Sequence, residues 1–192
     1  AVQPDHSILA TGTNEKSDIY TIETTLSGGS LRAIRLEVLP NQSLPRKGPG
    51  RAENGNFVLT TRTVSTPADE GEQEPQVGLI DRIPLNMKRA FADFSQESWA
   101  VGQTINEKPE DGWAVSPQFG KRHVAVFELA EPVMIDGGLK LTVTLHQQYE
   151  TGEAHNLGHF RLSATASPAE LALEGLDSGI VAALGKASGD RG

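Results

Sequence analysis

Alternation of apolar and polar residues is the feature that most limits how this chain can fold. It is clearest from Leu31 to Leu39, where apolar side chains fall on one face and charged ones on the other. A repeat of two residues is the period of a β-strand with one buried face. The apolar face carries Ile34, Leu36 and Val38, and the charged face carries Arg35 and Glu37.

Similar runs recur along the chain and are separated by segments that contain Gly, Pro, Asn and Asp. Seven or eight short strands without a helical period between them predict an all-β, antiparallel β-sandwich. The further predicted strands span 18–25, 57–65, 85–93, 123–129, 139–147 and 157–166.

The strand pattern predicts one domain over residues 1–166, and a different pattern begins at Ser167. Apolar residues then fall near helical spacing, although Gly175 and Gly179 weaken a helix. We therefore expect 167–192 to be a partly helical linker or tail toward a following domain. The first residues lack the features of a signal peptide, so we expect the chain to begin at a boundary within a longer protein.

Composition excludes several classes of function. The formal net charge of −8 opposes nucleic-acid binding, which depends on clustered Lys and Arg. The absence of cysteine excludes disulfides, thiolate zinc sites, a thiol nucleophile and covalent haem attachment in this segment. No apolar run approaches the roughly 20 residues of a membrane-spanning helix.

The two tryptophans are the first candidates for ligand contact, because sugars pack their C–H faces on flat aromatic rings. Trp113 follows Asp111 and Gly112 in a turn-rich stretch, and Trp99 lies among polar residues. Asn106 is a polar neighbour that could bind sugar hydroxyls. The alternative is that either ring packs in the core, as large aromatic residues commonly do.

Two polar loop segments supply further candidates. The segment 46–51 concentrates positive charge, so Arg51 could bind an anionic group of a glycan. The alternative is a tight chain crossing with Arg51 paired to a local carboxylate. Asn54, in the turn 54–56, is a ligand candidate whose amide could instead hold the loop. A second loop, 66–76, carries four acidic residues among its eleven.

Histidines and carboxylates do not form a recognisable catalytic motif. His155 and His159 are four residues apart but lack the glutamate of a zinc-binding helix. No Asp or Glu stands in a context that selects it as a general acid or base. We therefore predict a non-enzymatic protein in which His155 contacts a ligand, and Tyr149, His155 and Arg161 are the residues to test if catalysis occurs.

Four groups of segments, in order, resemble a module of large multidomain cytochrome-like proteins of planctomycete bacteria. The same order is similar to that of galactose-binding-like, discoidin-type jelly rolls. The resemblance spans most of the chain. Its segments are Gly12-Thr13-Asn14 with Asp18-Ile19-Tyr20-Thr21, then 31–39 with 48–59, then Ala92-Asp93-Phe94-Ser95-Gln96 with Gly112-Trp113-Ala114-Val115, and finally 155–163.

The resemblance implies a jelly-roll sandwich with a binding role, in a larger extracytoplasmic protein that is periplasmic or at the cell surface. The expected partners are a polysaccharide or oligosaccharide and the neighbouring domains of the parent chain. It also implies a structural calcium ion, for which Asn106, Asp111 and Asp18 are the candidate oxygen ligands. The alternative is a structural or protein-interaction spacer domain without glycan affinity.

Overall fold

The computed structural model describes residues 1–67, 82–106, 108–149 and 153–166, and the regular secondary structure in this part of the chain is almost entirely β-strand. Two short 3-10 helices, Pro45–Lys47 and Val101–Ile105, interrupt the loops. The strands are β1 (Ile8–Leu9), β2 (Asp18–Leu26), β3 (Gly29–Val38), β4 (Thr61–Pro67), β5 (Arg82–Pro84), β6 (Met87–Ala92), β7 (His123–Ile135), β8 (Leu139–Gln147) and β9 (His159–Thr165).

These strands form two antiparallel sheets. The five-stranded sheet has the order β1-β9-β3-β7-β6, and the four-stranded sheet has the order β2-β8-β4-β5. Every strand pairing is antiparallel. The predicted all-β class with two antiparallel sheets is therefore confirmed.

The core between the sheets is built by the predicted alternation. Strand β3 lies at the centre of the five-stranded sheet and buries Ile34, Leu36 and Val38, each at most 2% exposed. Val64 on β4 and Leu145 on β8 supply the opposing layer. Complete burial of an aliphatic side chain stabilises the folded state by about 1.5–3 kcal/mol. The largest fully buried side chains are Trp113, Phe57, Phe127 and Phe160.

Several strand boundaries in the structure differ from the predicted ones, and each difference has a local cause. The strand predicted from Phe57 begins at Thr61, because Val58 and Leu59 hydrogen-bond to loop residues instead of a strand. Strands β1 and β5 were not predicted, since two or three residues are too few to show a period. The predicted tail at 167–192 lies outside the described residues, as does most of the acidic loop.

The charged face of β3 is not solvent-exposed, contrary to a simple in-and-out alternation. Glu37 is only 2% exposed, because three guanidinium groups enclose its carboxylate. Arg35 and Arg122 each lie 2.7 Å from a carboxylate oxygen, and Arg161 Nε lies 2.8 Å from Oε2. Burial alone would raise the pKa of Glu37, but hydrogen bonds from Arg161 and Arg122 and the charge of Arg35 lower it from 4.5 to about 2.

Three long connections gather at one end of the sandwich. Two of them join the two sheets, and the third joins β6 to β7 within the five-stranded sheet. The described residues of this loop end are 39–60, 93–106, 108–122, 148–149 and 153–158, which lie beyond the strand ends at Val38, Ala92 and Gln147. The register places Val38 opposite His123, the first residue of β7, and Phe160, the second residue of β9. Loop residues are therefore close together here although they are far apart in sequence.

Glycines allow the chain to cross itself closely at the loop end. A Cβ on Gly50 would lie 1.8 Å from the carbonyl oxygen of Asn56, and one on Gly48 would lie 2.2 Å from that of Gly55. The two segments also pair through a hydrogen bond of 3.1 Å from Gly50 N to Gly55 O. The tight crossing predicted as one alternative for this basic segment is thus present.

We expect Glu37→Gln to lower the free energy of unfolding by about 2–4 kcal/mol at neutral pH, because it removes the buried negative charge that three arginines share. Since the folded pKa of Glu37 is below its unfolded value, its contribution is complete above about pH 4.5 and is lost as the pH falls toward 2. Urea unfolding at several pH values measures the difference between the two proteins.

The exposed Glu131→Gln is the matched control for that variant. A difference between wild type and Glu37→Gln that stays constant from neutral pH down to about pH 2 would contradict the assignment.

We also expect Gly50→Ala to destabilise the fold by about 1–3 kcal/mol, because the new methyl group would overlap the backbone at Asn56. Gly102→Ala is the control, since a Cβ at Gly102 meets nothing within 4 Å. Thermal unfolding of both variants checks this, and equal midpoints would show that the crossing can relax at no cost.

Candidate functional site

Three aromatic rings from two connections meet at the loop end: Trp99 lies between β6 and β7, and Tyr149 and His155 lie between β8 and β9. The ring centres of Trp99 and Tyr149 are 4.7 Å apart, and those of Tyr149 and His155 are 5.8 Å apart. Both pairs are edge-to-face, with interplanar angles of 77° and 72°. All three residues are half-buried, so each ring is held by the protein and still reaches solvent. We call these three residues the ring cluster.

Trp99 is positioned by a turn in which the backbone is strained. Its N–H donates to the Gln96 carbonyl at 3.0 Å, and the intervening Ser98 has φ 66°. A positive φ is uncommon for a residue with a side chain and is often found at binding sites. The Gln96 side chain holds the turn in place by accepting hydrogen bonds from Asn56 Nδ2 at 3.0 Å and Ser116 N at 3.2 Å.

The other two rings are attached to the opposite side of the loop end. Tyr149 lies two residues after β8, and His155 precedes β9. The carbonyl of His155 accepts a hydrogen bond from Val58 N at 2.9 Å, which ties this loop to the segment leading into β4. The His155 ring contacts Glu153, with 3.0 Å from Nδ1 to the carbonyl and 3.7 Å from Nε2 to a carboxylate oxygen.

Trp113, the second tryptophan predicted from sequence, is a core residue. It is 0% exposed, packs edge-to-face on Phe57 at 5.3 Å and donates its Nε1–H to the Phe94 carbonyl at 3.0 Å. Its backbone also pairs with Leu59 in both directions. Neither face of this ring is available for stacking, so the structure favours the alternative in which Trp113 has a folding role.

Arg51 and Asn54 both make hydrogen bonds that hold loops. The Arg51 guanidinium donates to the Gly12 carbonyl, and its backbone N–H donates to Asn156 O at 2.8 Å. Asn54 Oδ1 accepts from Asn56 N at 2.9 Å, as in an Asx turn. Asn54 therefore holds Asn56, whose amide donates to the Gln96 side chain. It does not itself belong to the ring cluster.

The three candidate calcium ligands do not fit a calcium site in this arrangement. Asn106 presents its amide nitrogen, not its oxygen, 3.2 Å from both carboxylate oxygens of Asp111. Its oxygen accepts a hydrogen bond from Lys108 N at 2.9 Å. Asp18 is on β2 and accepts from the Ile19 N–H. Calcium takes six to eight oxygen ligands, so its presence stays a prediction from the resemblance alone.

The described residues also contain no group of three or more His, Cys, Asp or Glu that could hold a metal ion. Arg161, considered for catalysis, pairs with Glu37 and with Asp5 at 3.7 Å, on the outer face of the five-stranded sheet. It is therefore engaged in the charge cluster.

Sequence reasoning thus named two members of the ring cluster, Trp99 and His155, as ligand candidates. It named Tyr149 only in connection with catalysis, and it missed the support from Gln96 and Asn56. The turn signal around Asn54 pointed to the loop that contains Asn56. No local signal in the sequence could show that residues 56 and 96 meet.

Among the described residues, no helix has the length and hydrophobicity needed to cross a bilayer. Comparisons of the chain with protein-family models, with curated proteins and with solved structures found no match.

Proposed function

We propose that this chain is a non-catalytic carbohydrate-binding module of a larger extracytoplasmic protein, with a galactose-binding-like, jelly-roll topology. The observation that carries the proposal is the ring cluster: three half-buried aromatic side chains meet at the loop end of an antiparallel sandwich. The topology and the location rest on the sequence resemblance.

The geometry of the ring cluster suits a ligand that has both apolar faces and hydroxyl groups. Trp99 and Tyr149 are nearly perpendicular, so one ring supports the other edge-on and leaves a single ring face for stacking. The Tyr149 hydroxyl and His155 Nε2 are the polar groups of the ring cluster that offer hydrogen bonds to a ligand, since His155 Nδ1 contacts the Glu153 carbonyl. An aromatic surface with a few fixed polar groups is the usual composition of small-molecule sites.

The support behind the rings lowers the entropic cost of binding. Trp99 is held by the Gln96 turn, and Gln96 is held by Asn56 and by the backbone of Ser116. Residues whose positions are fixed before binding lose little freedom on contact with a ligand. The strained φ of Ser98 is consistent with a turn that the surrounding structure holds in one conformation.

The second candidate function is docking to a neighbouring domain of the parent chain. It is favoured by an apolar groove of about 480 Å³ beside the edge strands β1 and β2, where Val2 is 73% and Ile19 is 48% exposed. Exposed apolar side chains beside a groove are typical of protein contacts. The groove is also lined by Ile8, Ala10, Ile22 and Phe160.

For the carbohydrate proposal, we expect the isolated chain to bind at least one glycan on an array. Trp99→Ala and Tyr149→Ala should weaken that binding at least about tenfold, which corresponds to about 1.4 kcal/mol. The reason is the loss of the stacking face in one variant and of its edge-on support in the other. Isothermal titration calorimetry with the glycan found on the array measures the change.

Met134→Ala is the control, because Met134 is 78% exposed near the end of β7 opposite the loop end. Loss of affinity in all three variants, or affinity that persists in both ring-cluster variants while they stay folded, would exclude the ring cluster as the sugar site. Release of reducing sugar from a polysaccharide by the isolated chain would contradict a non-catalytic role.

The docking alternative is tested by hydrogen exchange on a longer piece of the parent protein. If a neighbouring domain covers the groove, backbone amides of β2 should exchange more slowly in the longer protein than in the isolated chain. Unchanged exchange there, together with glycan binding, favours the carbohydrate proposal.

A further inference from the structure

One arginine points into the interior of the sandwich. Arg62 on β4 is 4% exposed, and its guanidinium carbon lies 4.4 Å from the centre of the Phe127 ring in the facing sheet. Its inward direction follows the alternation of β4, in which Val64 and Thr66 are also buried. Arg62 therefore occupies a position at which an apolar side chain is the ordinary choice.

The positive charge of Arg62 has no counter-charge among the described residues. Its Nε and Nη2 are enclosed and have no hydrogen-bond partner there. Burial lowers the pKa of Arg62 to about 9, so the side chain stays charged at neutral pH. The contact with Phe127 stabilises the cation in part, but it uses none of the N–H donors. Glu37 differs in this respect, because three opposite charges surround its carboxylate.

Arg62 lines a cleft of about 300 Å³ between the edge of β4, the start of β6 and the 3-10 helix Val101–Ile105. The volume lies at the lower end of the range for small-molecule sites. The polar side chains of the lining are Arg62, Thr63 and Asn86, and the apolar ones are Val64, Pro84, Leu85, Met87 and Ile105.

We propose that this cleft binds an organic monocarboxylate, whose carboxylate pairs with the Arg62 guanidinium and whose apolar body contacts Leu85, Met87 and Ile105. A guanidinium forms two parallel hydrogen bonds with a carboxylate, and the pair is strongest where water is excluded. The enclosed Nε and Nη2 are adjacent on one edge of the guanidinium. No other described group competes for their donors.

The lining favours a singly charged, partly apolar ligand over a multiply charged one. Arg62 is the only cationic side chain among the described residues that line the cleft, and five of the eight lining residues are apolar. A phosphate or sulfate dianion would leave one charge unbalanced in that setting, in a chain whose formal net charge is −8. Because Nε and Nη2 are enclosed, binding requires the Arg62 side chain to turn these atoms toward the cleft.

This site is separate from the proposed carbohydrate site. No residue of the ring cluster lines the cleft. The carboxylate proposal is therefore independent of the carbohydrate proposal. The ring-cluster variants should bind the carboxylate as the wild type does.

The test uses thermal unfolding of the whole chain with hexanoate and benzoate as probes, and with hexanamide and benzamide as their uncharged counterparts. A ligand that binds only the folded state raises the unfolding midpoint as its concentration rises. We expect the two carboxylates to raise the midpoint in a saturable way and the two amides not to. Sulfate and phosphate, at the same ionic strength, should have no saturable effect.

Arg62→Met removes the charge but keeps a long side chain. We expect this variant to unfold at a higher temperature than the wild type without ligand, because an unpaired buried charge is gone, and to show no response to carboxylate. Arg62→Lys keeps the charge but lacks the planar pair of donors, so its response should be weaker. Arg32→Met, at an exposed position of β3, is the control and should respond like the wild type.

The absence of any saturable carboxylate effect in the wild type would overturn the proposal, as would an equal effect in Arg62→Met. A saturable response to sulfate or phosphate instead of the monocarboxylates would overturn the assigned ligand class. If Arg62→Met does not fold, Arg62→Lys carries the test, and an unchanged response in Arg62→Lys overturns the bidentate pairing.

Discussion

The backbone pairing between Leu59 and Trp113 is the constraint on which the loop end depends. Two hydrogen bonds, from each N–H to the other carbonyl, join the segment before β4 to the long connection between β6 and β7. Both side chains are fully buried, and Gly112 is needed because a Cβ there would lie 2.3 Å from Leu59 O. Together with the hydrogen bond from Asn56 to Gln96, this pairing fixes the connection that places Trp99 beside Tyr149.

Two buried charges in this protein, those of Glu37 and Arg62, have opposite surroundings. Glu37 is surrounded by arginines, so its carboxylate is stabilised on the outer face of the five-stranded sheet. Arg62 lies between the sheets, and in the described part of the chain the Phe127 ring is the group that compensates its charge. An unpaired charge lowers the stability of a core. The charge cluster around Glu37 therefore stabilises the fold, whereas an anion bound at Arg62, as proposed above, would compensate a buried charge.

The strand pattern predicted the fold class and most of the strands because one buried face leaves a period of two in the sequence. The alternation around Leu36 located the central strand to within two residues at each end. The same pattern could not predict that Glu37 is buried, since that depends on Arg122, which precedes β7, and on Arg161 of β9. It also could not decide between core and surface for Trp113, because the ring is buried by Phe57, 56 residues earlier in the chain. Contacts between loops are set by topology and not by local periodicity.

The two tryptophans have a spectroscopic consequence. They are the only two in the chain, and one is wholly enclosed while the other is half-buried at the surface. Indole emission shifts to longer wavelength as water reaches the ring, so the two should differ in colour and in access to a dissolved quencher. A single intrinsic fluorescence spectrum therefore contains one signal from Trp113 in the core and another from Trp99 at the loop end.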